Sequence, residues 1–347
     1  MRLIFIFLLI IPWQAQGTKL VTSGNEVIEW SYQSKKSYDN PFRDVVLDAK
    51  IISPKGKEIL LPSFWAGENE WRFRFAASEA GIYRFSTICN DKKNKDLHNQ
   101  SGSIEVQPYE GNNPLYLHGP IRVSQDNRHF IHEDGKPFLW LADSWWHGMT
   151  NRFKWPEDFM LLTDDRKEKG FSVIQFALGF PCDIAPFDPR GQNDAGDPWM
   201  DSSFTSINPD YYELTDLRVH WLLKQGLMPN ILPTWGYYMK WMGVENMKDH
   251  WRYVIARYGA YPITWTLSGE VTLAYYSDLG ENWDYFKKQF REQWSEVARF
   301  VQKTDPFDRL LTVHPGPGIW DGKPPINDME ALDFVMLQSG HNGFHTL

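Results

Sequence analysis

The chain has 347 residues, enough for one to three domains with a sizeable core, and a formal net charge of -8 with 23% charged residues. That acidic balance argues against a nucleic-acid backbone as partner, because phosphates need a cationic surface. Aromatic residues reach 16%, with 17 Trp; most are expected in the core, and the remainder suit a flat-faced cleft that stacks on sugar rings.

The chain opens with MRLIFIFLLIIPWQAQG, in which Arg2 precedes an apolar run from Leu3 to Ile11 and small residues follow at Ala15 and Gly17. This is the layout of a signal peptide cleaved after Gly17, and the run is too short to span a membrane. The mature chain is therefore expected to be secreted or periplasmic, with no membrane span. Cys89 and Cys182 are the two cysteines. Two isolated thiols make no disulfide framework, and both are expected buried and inert.

Residues 18–108 read as an all-β sandwich domain. NEVIEWSY, RDVVLDAKIISPKGKEILLPSFWAG, EWRFRFAASEAGIYRFSTICN and SGSIEVQP are short alternating or apolar strands separated by turn residues. Trp65, Trp71 and Tyr83 fit either a core role or stacking on glycan, and sandwich aromatics more often face the core. Residues 109–136 read as a Pro, Gly and Asn-rich linker with a hairpin turning at Asp134-Gly135, on which His129 and His132 are expected at the surface.

From residue 137 to 347 the texture changes to strands alternating with helices. Strands are predicted at 137–146, 171–180, 227–236, 263–270, 309–316 and 333–341, and helices at 156–170, 209–226, 246–259 and 283–305. Such alternation means a parallel sheet. No G-x-G-x-x-G turn follows any strand, so a dinucleotide fold loses its main support. The preferred class is α/β, a (β/α)8 TIM-type barrel with six of eight strands present, preceded by the sandwich.

Polar and aromatic residues gather at the predicted strand ends. Strand one ends in Asp143, Trp145, Trp146 and His147; strand two carries Gln175 and leads to Asp183; strand three ends in Trp235 and Tyr237. The later strands end in Glu270, in His314, and in Gln338 and His341. In a barrel this rim is the functional face. Rings cover the C–H faces of sugars while Asp, Gln and His read hydroxyls, so the expected partner is an oligo- or polysaccharide and no cofactor is implied. Glycosidic cleavage needs two carboxyl groups, and Glu270 is the candidate proton donor.

PFLWLADSWWHG, GFSVIQFALG, ITWTLSGE and DFVMLQSGH, following an N-terminal sandwich, resemble the apiosidase-like family of secreted bacterial glycoside hydrolases, which act on plant cell-wall polysaccharides. The resemblance covers about residues 20 to 347. It implies an acid/base at the end of strand four, hence Glu270, and a nucleophile at the end of strand seven. The wider pattern has Asn before the Glu, whereas this chain has Gly269. Strands seven and eight are not seen before Leu347, so the chain reads as a fragment whose nucleophile is expected beyond that residue, with retaining chemistry in the full-length protein.

Asp143 and Asp183 are read as substrate-binding groups rather than as the second carboxylate, since they belong to strands one and two. A zinc site from His314, His341 and His345 lacks an H-x-H or other ligand-spaced pair, so no metal is expected. Two readings compete with the hydrolase: a glycan-binding protein without turnover, and a structural module presenting the sandwich. The aromatic rim argues against the latter.

Overall fold

The computed structural model describes residues 17–273, 283–316 and 324–338. The predicted signal peptide (apart from Gly17), His341 and His345 lie outside the described residues. No helix among the described residues is long and apolar enough to cross a membrane.

The N-terminal part is built from β1 (Thr18–Ser23), β2 (Ile28–Gln33), the short helix α1 (Pro41–Asp44), and β3 (Leu47–Ile52) through β4 (Glu58–Pro62), β5 (Phe64–Gly67), β6 (Glu70–Phe75), β7 (Gly81–Cys89) and β8 (Ser101–Gln107). A five-stranded sheet in the order β1-β8-β7-β3-β4 faces a three-stranded sheet in the order β2-β6-β5. Alternation along the strands sends Leu47, Ala49 and Ile51 of β3 and Trp71, Phe73 and Phe75 of β6 into one shared core. Trp71 and Tyr83 are buried in it, and Trp65 is half-buried with its Nε1 donating to the Glu68 carbonyl at 3.0 Å. The two buried rings belong to packing.

The segment predicted as a linker is ordered against the second half. After α2 (Pro114–Leu117), strands β9 (Ile121–Val123), β10 (Phe130–His132) and β11 (Pro137–Phe138) form a three-stranded antiparallel sheet. Leu115 and Ile121 join the core of the α/β half. His132, expected at the surface, is buried, because its Nδ1 shares a 2.8 Å hydrogen bond with the Gly119 carbonyl.

The α/β half runs β12 (Ala142–Ser144), α3 (Glu157–Glu168), β13 (Val173–Phe180), α4 (Pro209–Lys224), β14 (Met228–Thr234), α5 (Met239–Tyr258), β15 (Thr264–Gly269), α6 (Trp283–Thr304) and β16 (Leu311–His314). Its five strands pair in parallel in sequence order. All their C-terminal ends therefore share one edge. This is a parallel half-barrel of five strands among the described residues, one fewer than the six of eight barrel strands expected from the sequence. Over residues 333–338 no strand is assigned, although the Asp333 N–H donates to the Leu311 carbonyl at 2.8 Å and Thr312 Oγ1 donates to the Phe334 carbonyl at 2.8 Å. The predicted first strand also shrinks. Pro137 and Phe138 pair with β10 instead, and Leu139 and Leu141 are exposed because β12 is the edge of the described sheet.

A buried ionic network joins the sandwich to the half-barrel. Arg74 on β6 donates to Glu29 at 2.7 Å and to Asp216 on α4 at 2.5 Å, and Arg257 on α5 donates to Asp216 at 2.9 Å and to Glu213 at 2.7 Å. The side chains of Arg74, Arg257 and Asp216 are 3%, 0% and 6% exposed, so none can fall back on water. Burial alone would push the Asp216 carboxyl up, but the Arg257 and Arg74 guanidiniums outweigh it and hold it well below the usual carboxylate range.

Replacing Asp216 with Ala leaves two buried guanidiniums undercompensated and is expected to cost about 3–5 kcal/mol, read as a lowered midpoint in urea unfolding. In the unsubstituted protein the sign of the pH dependence follows from the depressed value. The Asp216 contribution is complete at neutral pH, begins to fall as pH drops through the ordinary aspartate range near about 4, and is lost once pH passes below the folded-state value.

Candidate active site

The shared edge of the half-barrel carries the site. Glu270 directly follows β15, where the backbone turns left-handed at φ 46°. Its N–H donates to the His314 carbonyl at 2.8 Å, its carbonyl accepts from the Leu273 N–H at 2.9 Å, and Gln338 Nε2 donates to its Oε1 at 3.1 Å. A left-handed non-glycine residue is held only where its surroundings insist on it. Three separate stretches of chain fix this acid.

Gly269, just before it, explains the departure from the Asn expected there. A Cβ built on Gly269 collides with the Trp235 indole, and the two residues form a parallel bridge. Trp235 meets Trp146 edge to face at 4.9 Å and His314 at 5.8 Å, and Trp146 meets His314 at 5.3 Å. These three rings form one aromatic floor from the ends of β12, β14 and β16. Burial holds the His314 imidazole below its ordinary pKa, so it is neutral and suited to hydrogen bonding.

Along the same edge stand His147, Cys182 and Asp183, from the loops after β12 and β13. A ring nitrogen, the sulfur and a carboxylate oxygen of the three lie within 4.8 Å of one another. His147 Nε2 takes a hydrogen bond from Arg152 at 3.0 Å, while its Nδ1 is buried without a hydrogen-bond partner. Burial, helped by the Arg152 charge, pushes the imidazole down to about 4, so it is neutral near pH 7. Burial and then the Asp183 and Glu270 carboxylates push the Cys182 thiol up to about 12. Glu270 thus lies within electrostatic reach of the cluster. Asp183 shares with Glu270 a left-handed backbone, at φ 64°.

The remaining predicted residues are placed differently. Asp143 faces α3: its Oδ2 accepts from Trp145 Nε1 at 2.9 Å and from Arg166 Nε at 2.6 Å, and these bonds hold its carboxyl below the ordinary value against the upward push of burial. Trp145 packs in the core against Phe153 and Phe159. Gln175 lies inside the half-barrel, where its Nε2 donates to Asn230 at 2.9 Å and to Thr266 at 3.0 Å. Tyr237 is fully buried, and its hydroxyl donates to the Ile184 carbonyl at 2.7 Å, anchoring the loop that carries Cys182 and Asp183.

The structure thus brings Trp146, His147, Asp183, Trp235, Glu270, His314 and Gln338 to one face and sets Asp143, Trp145, Gln175 and Tyr237 behind it. Sequence reasoning took Cys182 as a buried, inert thiol and gave Arg152 no role. Cys182 sits directly before Asp183 at a predicted strand end, which was the available signal; Arg152 gave none.

Among known proteins, the family described as "Apiosidase-like, catalytic domain" matches residues 124–346. The chain belongs to the apiosidase-like family. A second family, described as a domain of unknown function (DUF5060), matches residues 25–90. Among solved structures the chain is similar to a putative glycoside hydrolase from Bacteroides vulgatus ATCC 8482, with a TM-score of 0.66 and 19% identity over 89% of this chain and 58% of that one. It is also similar to a glycoside hydrolase family 5 protein from the same organism, with a TM-score of 0.48 and 21% identity over 65% of this chain and 46% of that one. The apiosidase-like chain therefore spans less than two thirds of either solved structure. The first match establishes a fold of glycoside hydrolase type. No curated protein matches the chain.

Gly269→Ala is expected to push the Trp235 ring out of place at a cost of about 1–3 kcal/mol. The loss is read by thermal denaturation, accompanied by a change in tryptophan fluorescence.

Proposed function

We propose that this apiosidase-like protein is an exported glycoside hydrolase acting on plant cell-wall type polysaccharide. Glu270 is its acid/base. The observation that carries the reading is a carboxylate at the end of the fourth parallel strand, whose Oε1 accepts from Gln338 and whose backbone N–H donates to the His314 carbonyl, beside an aromatic floor. In that role Glu270 protonates the leaving oxygen and then removes a proton from the attacking water. Trp146, propped by the buried Trp235, takes the apolar face of a sugar, and His314, His147 and Asp183 address its hydroxyls.

The reading extends to a closed (β/α)8 barrel in which further strands continue the half-barrel and deliver a carboxylate nucleophile about 5 to 5.5 Å from Glu270, giving retention of configuration. Residues 18–108 then form a separate sandwich domain, and residues 1–17 the export signal.

The test is hydrolysis of plant cell-wall oligosaccharides by the complete encoded protein. Glu270→Gln is expected to lower kcat by about 10²- to 10⁴-fold with KM little changed. Unchanged turnover in the variant would remove Glu270 from the acid/base role, and binding without turnover in the unsubstituted protein would favour a glycan-binding protein instead.

A further inference from the structure

We propose that His147, Cys182 and Asp183 bind a borderline divalent transition metal, zinc above all. The inference goes beyond the hydrolase reading, which gives His147 and Asp183 hydrogen bonds to substrate and no metal.

The geometry is close to what such an ion needs. Zinc takes a thiolate at about 2.3 Å and imidazole or carboxylate at about 2.0–2.2 Å, so tetrahedral ligand atoms stand about 3 to 4 Å apart. The three candidate atoms already lie within 4.8 Å of one another. Small side-chain rotations close that gap. The two ligand-bearing loops follow β12 and β13, adjacent strands of the same sheet, which keeps the ligands close together.

The donor set selects the ion. A thiolate and an imidazole favour zinc, cobalt or copper over magnesium and calcium, which prefer oxygen. A thiolate, a carboxylate and a neutral imidazole also balance a charge of +2. With three protein ligands the fourth position stays open to water.

An independent observation points the same way. His147 Nδ1 is buried with no hydrogen-bond partner, while Nε2 accepts from the Arg152 guanidinium. With Nε2 accepting, the neutral ring carries its proton on Nδ1, where nothing receives it. A metal at Nδ1 relieves this: the ring proton moves to Nε2, and Arg152, which is exposed, turns to solvent. Cys182, 8% exposed, loses its thiol proton to water as the metal–sulfur bond forms.

The experiment titrates cobalt(II) into the metal-free full chain and reads the thiolate-to-cobalt charge-transfer band in the near ultraviolet. The band is expected to saturate at one equivalent, to disappear on adding zinc, and to be absent in Cys182→Ser. Because Cys182 is buried, the exposed Asp183 supplies a variant that spares the core: Asp183→Asn is expected to weaken cobalt binding by about tenfold or more. Arg152→Ala, which removes the competing donor and its charge, should tighten binding. A thiolate band that never forms at stoichiometric cobalt, or affinity unchanged in all three variants, would overturn the proposal.

Discussion

The contact between the Trp235 indole and Gly269 sets the geometry of this site. β14 and β15 approach so closely at their ends that a side chain on Gly269 has no room. The next residue, Glu270, then leaves the strand through a left-handed turn, and its carboxylate meets Gln338. The same indole supports Trp146 and His314. One close approach thus places the acid and the floor beneath it, and both depend on a residue with no side chain.

Behind that edge the half-barrel interior is polar where a closed core would be expected to be aliphatic. Gln175, Asn230, Thr264 and Thr266 bond one another across β13, β14 and β15, with Thr266 Oγ1 donating to Asn230 Oδ1 at 2.6 Å and Asn230 Nδ2 donating to Thr264 at 2.8 Å. A buried network of this kind is stable only when its members are satisfied, and then it admits a single register. A slip of one residue would turn the whole set toward the helices. The network therefore keeps the strand ends aligned, and with them the rim. The Arg74, Asp216 and Arg257 cluster does the corresponding work between the sandwich and the helices.

The alternation of strands and helices made the parallel sheet legible, because fully buried runs such as VIQFALGF and ITWTLSG have no other stable home. The rim was legible in part. Trp146, Trp235, Glu270 and His314 converge because parallel strands put all their C-terminal ends on one side. Asp143 and Tyr237 do not, for reasons that periodicity cannot carry. Asp143 stands one residue out of phase, so it faces α3 and Arg166, and Tyr237 lies in the turn after β14, from which its ring reaches the loop at Ile184. The roles of Cys182 and Arg152 depend on loops meeting in space, and that meeting leaves no spacing in the sequence. The length of the first strand was overstated because Pro137 and Phe138 had a second partner, β10, available nearby.

The edges of the sheet tie the fold to the proposed chemistry. Leu139 is 75% exposed and Leu141 40% exposed just before β12, and beyond β16 Val335 is 54% and Leu337 67% exposed. Apolar side chains beside sheet edges that have no paired strand among the described residues invite association with another chain unless something covers them. A closed barrel removes both edges at once, since strands inserted between β16 and β12 satisfy the backbone of each and bury these same residues. The closure that would solve this folding problem would also bring a further strand end to the rim, opposite Glu270. Edge protection and a second carboxylate would thus be met by one addition, which is why the barrel and hydrolase proposals are coupled, whereas the metal site needs only the loops after β12 and β13.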